Sequence, residues 1–163
     1  MNHSLVEKII GTNSGLAGLA LRVPAGIIFA AHGAQKLFGA FGGYGLEGTG
    51  QWMASIGLEP GYLMALAAGS AEFFGGLALL VGLLTRPAAL VLAFTMLVAI
   101  LTVHAQNGLF MANNGYEFGL SLLAIAVALL FNGAGAYSLD SWLSGRTSRQ
   151  DHTVTAKNAL APQ

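Results

Sequence analysis

Ionisable residues interrupt every long apolar stretch of this chain, and that pairing limits it to folds able to hide charge. His32 and Lys36 lie in or beside the first stretch, Glu72 sits inside the second, His104 ends the third and Glu117 opens the fourth. Each stretch approaches the ~20 residues a helix needs to cross hydrocarbon. A charged side chain at mid-bilayer costs roughly 2.5–3.5 kcal/mol. These groups must therefore face one another, a cavity or a ligand.

Composition points the same way. Of 163 residues, 55% are hydrophobic and only 9% charged, with a mean hydropathy of +0.65; soluble domains carry roughly 25% charged residues. An all-α integral membrane protein is the expected class, with no length left for a separate soluble domain. Net charge is zero and the basic residues are scattered, so the basic stripe that grips nucleic acid is missing. The absence of cysteine rules out a disulfide, a thiolate metal site and a thiol redox cycle. Any electron chemistry needs a bound cofactor or a partner.

Hydropathy and turn residues predict a four-transmembrane-helix bundle with spans at about 19–38, 60–84, 88–105 and 116–131. Pro60 and Pro87 suit first helical positions, where a missing N–H is harmless. The membrane domain is expected over 19–143, between an N-terminal cytoplasmic segment at 1–18 and a disordered cytoplasmic tail at 144–163. Arg22 before the apolar run 23–31 raises the question of a signal peptide, but the leader is long for one, and a retained span is expected. His3 and His152, in the polar ends, have little claim to function.

Charge sets the expected orientation. Lys8, Arg22, Arg86, Arg146, Arg149 and Lys157 share one side, with Lys36 alone on the other. By the positive-inside rule both termini are cytoplasmic, and segments 39–59 and 106–115 face outward. Trp52 and Trp142 fall near opposite interfaces. Arg22 reads as an interfacial anchor, and Lys36 as a side chain that snorkels outward.

The run Gly43-Tyr44-Gly45-Leu46-Glu47-Gly48 has the letters of a dinucleotide fingerprint. That motif has meaning only between a strand and a helix, and here it lies between two spans. Beyond it, Thr49 can cap a short interfacial helix through Ile56, with Trp52, Met53 and Ile56 on the membrane interface. On the second span Ala68, Glu72 and Gly76 form one row, which allows a neighbouring helix to approach closely. Glu72 then reads either as a protonated packing group or as a ligand or proton site.

Two His and two Glu from four helices resemble the donors of di-metal carboxylate bundles. Those bundles place Glu-x-x-His pairs on single helices, and none occurs here, so no metal is assigned. A polar pocket for an organic ligand fits the set as well. His104 also suits a helix C-terminus, where a cation is favoured. Ala71-Glu72-Phe73-Phe74-Gly75 is faintly echoed by Tyr116-Glu117-Phe118-Gly119, which suggests two related helical hairpins.

Several motifs occur in order: Arg22-Val23-Pro24, His32-Gly33-Ala34-Gln35-Lys36-Leu37-Phe38-Gly39, Gly42 to Thr49, Ala71-Glu72-Phe73-Phe74-Gly75-Gly76, Gly82-Leu83-Leu84-Thr85-Arg86-Pro87, His104, Asn107-Gly108 and Gly115-Tyr116-Glu117-Phe118. Together they resemble the DoxX family of small bacterial inner-membrane proteins, over roughly residues 22–139. The resemblance implies a four-span bundle in the bacterial cytoplasmic membrane and a loose oxidoreductase or quinol-linked label. Named relatives include a thiosulfate:quinone oxidoreductase subunit and oxidoreductases tied to catechol, quinone or oxidative stress.

The leading expectation is a membrane subunit of a quinone/quinol-linked oxidoreductase system. His32, Glu72, His104 and Glu117 would line one outward-opening pocket and relay protons, since quinone reduction takes up protons with electrons. The lipid bilayer, a quinone or small organic ligand and a soluble redox enzyme are the expected partners. The same residues also fit a non-catalytic permease or small-molecule binding protein, or a scaffold for soluble redox enzymes. Reporter fusions check the orientation: a fusion at Gly45 should report outside and one at Gln163 should report cytoplasm, and a cytoplasmic signal at Gly45 inverts the topology.

Overall fold

The computed structural model describes residues 11–12 and 15–145, and among these it contains helices and no strand. Helix α1 runs Leu16–Phe38, α2 Gly45–Ser55, α3 Gly61–Val81, α4 Thr85–Ala99 and α5 Glu117–Asn132. A π-helical turn Ile100–His104 and a 3-10 turn Ala105–Asn107 carry α4 onward. Residues 139–145 form a further short helical segment.

Three helical stretches are long and apolar enough to cross a membrane: Leu16–Phe38, Gly61–Val81 and Thr85–Asn107. The fourth expected span is shorter. At 16 residues and about 1.5 Å of rise each, α5 falls below the ~30 Å of a hydrocarbon core. It stops at Gly133, whose φ of 77° and ψ of −165° leave helical space.

Chain ends of the helices follow local chemistry where the chemistry is local. Gly39 (φ 69°) and Gly82 (φ 66°) take the left-handed conformation that closes α1 and α3, and their N–H groups bond back to carbonyls of the last turn. Pro60 is the N-cap of α3 rather than its first residue. Helix α4 begins at Thr85, three residues before the expected start, and Pro87 lies within its first turn. Its cap is distant: the Asp140 carboxylate accepts from the Leu84 N–H at 2.8 Å and the Thr85 N–H at 2.9 Å. No signal near residue 85 announces such a partner.

The helices form a ring. Packing is most extensive between α1 and α3, then between α4 and α5, with α3 against α4 and α2 across the start of α3. The α1–α3 seam is close because it is lined by small residues. A side chain added at Gly33 would meet the backbone of Phe73, and one at Gly76 would meet the backbone of Ala30. The core comprises Ala25 and Phe29 of α1, Leu79 of α3, Leu92 and Met96 of α4, and Leu122, Ala126 and Leu129 of α5.

The cap helix differs in detail from its expectation. It begins at Gly45, so Thr49 lies buried within it, and Met53 is buried while Trp52 and Ile56 remain exposed. Trp52 and Trp142 stand at opposite ends of the bundle, the first on α2 and the second beside Val81 at the end of α3. Most of the expected N-terminal segment and tail, with His3 and His152, lies outside the described residues; the described part of the tail, 144–145, is helical.

Arg22 corrects the anchor expectation. It is 1% exposed and donates from Nε to the Ala134 carbonyl (3.0 Å), from Nη1 to Leu79 (3.1 Å) and Leu80 (2.6 Å), and from Nη2 to Ala136 (3.3 Å) and Tyr137 (2.6 Å). Its planar fork matches carbonyls left over at the ends of α3 and α5. The side chain thus joins three parts of the chain instead of floating at an interface. Substituting Asp140 by Ala strands the buried Thr85 amide and the partly buried Leu84 amide and should lower stability by about 1–3 kcal/mol. Thermal melting in detergent should show Asp140→Asn, which keeps one good acceptor, falling between Ala and wild type.

Candidate functional site

The best-defined polar contact inside the helices joins the last turn of α1 to the middle of α3. Lys36 Nζ lies 2.6 Å from Glu72 Oε2, an ion pair whose side chains are 24% and 5% exposed. Gly69, one turn before Glu72, makes room: a side chain there would meet Lys36 Cβ at 3.2 Å and Leu37 at 2.9 Å. The row of small residues around Glu72 therefore does bring a helix close, and the partner it brings is Lys36. Snorkelling outward is corrected. In an apolar setting an unanswered carboxylate outweighs the freedom lost by a lysine stem, so the ammonium turns inward.

His32 lies one turn before Lys36 on α1 and is exposed. Its ring centroid is 6.0 Å from that of Phe118 on α5, at 49°. His104 and Glu117 act elsewhere. His104 Nδ1 is 2.8 Å from the Asn114 carbonyl, which also receives Asn107 Nδ2 at 3.2 Å. A carbonyl only accepts, so Nδ1 carries the proton. Glu117 Oε1 accepts from the Met111 N–H at 2.6 Å. Both residues brace the connection between α4 and α5, folded tightly enough for Asn114 to adopt φ 60°.

The four sequence-selected residues thus lie toward the same end of the bundle, yet no hydrogen bond or ion pair joins any two of them. His32 approaches the start of α5 through Phe118, next to Glu117 in sequence. Glu72 is held by a residue outside the set. Among the described residues, no three His, Asp or Glu side chains come together as metal ligands. The sequence carried one signal for the Lys36 pairing: opposite charges in two consecutive apolar stretches, each without another local answer.

The opposite end of the bundle contains the network of Arg22, Asp140 and Arg86. Arg86 donates to the Gly11 carbonyl and the Leu130 carbonyl, each at 3.0 Å. These contacts run to backbone, which fixes geometry and leaves little to titrate or exchange. Chemistry is better suited to the Lys36 end, where two side chains hold each other.

Comparison with known proteins adds the following. The DoxX family profile matches residues 17–105, a stretch that contains His32, Lys36, Glu72 and His104 and stops short of Glu117 and Asp140. "Putative oxidoreductase CatD" of Bacillus subtilis (strain 168) is 39% identical over 111 residues, covering 68% of this chain and 76% of the relative. "Inner membrane protein YqjF" of Escherichia coli (strain K12) is 39% identical over 132 residues, covering 77% and 91%. A Haemophilus influenzae protein is 32% identical over 128 residues, covering 74% and 86%. No solved structure is matched at the same significance.

The ion pair makes a testable demand on stability. Lys36→Met and Glu72→Gln should each destabilise the protein. The double variant should lose less than the sum, with a coupling of about 0.5–3 kcal/mol. Melting of the four proteins in one detergent measures it; additivity would mean that the pair contributes nothing as a pair.

Proposed function

Because the chain belongs to the DoxX family, we propose that it is a membrane subunit of a quinone/quinol-linked oxidoreductase system, with Lys36, Glu72 and His32 as its polar site. The observation that carries this reading is the 2.6 Å ion pair with a nearly buried carboxylate in apolar helices. Intramembrane ionisable groups with a side-chain partner mark proton relays and ligand paths more often than packing. The name of the Bacillus subtilis relative supports the oxidoreductase class, and that of the Escherichia coli relative supports the inner membrane.

In this reading α5 is the fourth span, both termini lie in the cytoplasm and the Lys36 end faces outward. A quinone becomes a quinol by taking two electrons and two protons. The electrons come from a soluble partner enzyme, since a chain without cysteine holds no thiol couple of its own. The protons pass through groups that change partners easily. Glu72 can exchange Lys36 for a ligand hydroxyl, and the imidazole of His32, one turn away, has one ring nitrogen to donate a proton and one to accept. His104 and Glu117 border this end and hold the α4–α5 connection in shape.

Purification in native lipid discs followed by mass spectrometry tests the proposal. Wild-type protein should retain quinone above the level of the surrounding lipid, and Glu72→Ala should lose it. Glu72→Gln should still fold, at the reduced stability described above, while abolishing proton-coupled turnover, because an amide preserves a hydrogen bond of about 1 kcal/mol but carries no exchangeable charge. A fully active Gln variant removes the proton role. Wild-type protein without quinone, together with solute uptake by vesicles, would replace the redox reading with a permease.

A further inference from the structure

Resting on the reading above, we propose that the seam between α1 and α5 at the Lys36 end is a lateral binding site for a planar quinoid ring carried in the bilayer, with His32 and Phe118 together as the surface on which it lies. The ring of helices closes unevenly. Helix α1 packs broadly on α3, α3 on α4 and α4 on α5, but α1 and α5 meet over few positions. Toward the Arg22 end the seam is sealed, because Ala25 and Phe29 share one buried cluster with Leu122, Ala126 and Leu129. Beyond Phe29 the cluster thins to half-buried Phe118, which packs against it from α5, and His32 faces that ring.

His32 stands out among the polar groups of the spans. Arg22, Lys36, Glu72 and Arg86 all have partners within the protein, whereas His32 makes no hydrogen bond among the described residues and is exposed. An imidazole left against hydrocarbon without a partner carries a desolvation cost, so a polar ligand atom at this position is favourable. The aromatic partner defines the rest of that ligand. At 6.0 Å and 49°, the two rings are too close to admit a third ring between them, since stacked atoms need about 3.5 Å on each side. A planar ring instead lies across exposed His32 and the accessible part of half-buried Phe118. It packs against Phe118 and presents a carbonyl or hydroxyl oxygen to the imidazole.

Entry from the side suits a particular substrate class. A ring with an apolar tail can leave the tail in lipid and move only its head into the seam, one helical turn from Lys36 and its bound Glu72. A tail-free, water-soluble ring gains nothing from this route. Phe118 is thereby assigned as a specificity residue.

Equilibrium binding in phospholipid nanodiscs tests the site, using a decyl-tailed benzoquinone and the same benzoquinone without its tail. Wild-type protein should favour the tailed compound at equal total concentration per disc. Phe118→Leu should weaken its binding about 2–10-fold, the size of a lost aromatic contact. His32→Leu should weaken it similarly, and His32→Gln should recover part of the loss. A second measurement avoids changing either residue. Ser121 is exposed one turn beyond Phe118, and in a cysteine-free chain Ser121→Cys takes a single fluorescent label. The tailed quinone should shield that label from a nitroxide lipid.

Retained tailed-quinone binding that neither the Phe118 nor the His32 variant changes, or a label quenched by aqueous iodide and not by nitroxide lipid, overturns the lateral site and leaves the quinone-linked function standing. Wild-type protein that binds neither quinone overturns both.

Discussion

A charge inside hydrocarbon must find its counterpart within the protein, and nearly every distinctive contact of this structure answers that demand. Water is not available to make up a shortfall, so each ionisable group selects its neighbours. Arg22 takes backbone carbonyls, Asp140 takes backbone amides, and Lys36 and Glu72 take each other. The type of partner separates the two ends of the bundle. In bonds to backbone one partner cannot rotate away, and five carbonyls hold the Arg22 guanidinium at once, so the Arg22 end is the more fixed. A bond between two side chains can be surrendered to a ligand by rotation alone, and the Lys36 end has that freedom.

Small residues make both ends achievable. Gly33 and Gly76 bring α1 and α3 near enough for their backbones to touch, and the same approach places a lysine within reach of a carboxylate on the neighbouring helix. Packing and electrostatics are thus one design along this seam. A bulky residue in the row would separate the helices and leave two charges unanswered, so the loss would exceed that of a simple clash.

Much of this was legible in the sequence, with the gaps in definite places. Length and apolarity of the stretches gave the helices, and the row Ala68, Glu72 and Gly76 gave the close seam. The glycine at 39 marked a real helix end, whereas the span expected to reach 84 stops at Val81, where Gly82 turns left-handed. What remained hidden was long-range pairing. Arg22 contacts carbonyls more than a hundred residues away, and α4 is capped from residue 140; periodicity and capping rules see only a few neighbours. The pairing of His32, Glu72, His104 and Glu117 was inferred from shared cost, yet cost alone names no partner. Lys36 was passed over because a long side chain near a helix end usually escapes to water, and here a carboxylate lay closer.

The hydrogen bonds of Arg22 bear on the order in which the protein can be made. The guanidinium enters the membrane with α1, while its acceptors arrive later in two instalments. Leu79 and Leu80 come with the next long helix, and Ala134, Ala136 and Tyr137 come only after the last one. Until then the cation has to be sheltered by the insertion machinery or by lipid headgroups. The contacts of α1 are therefore completed only when the segment after α5 has been made and folds back onto the bundle.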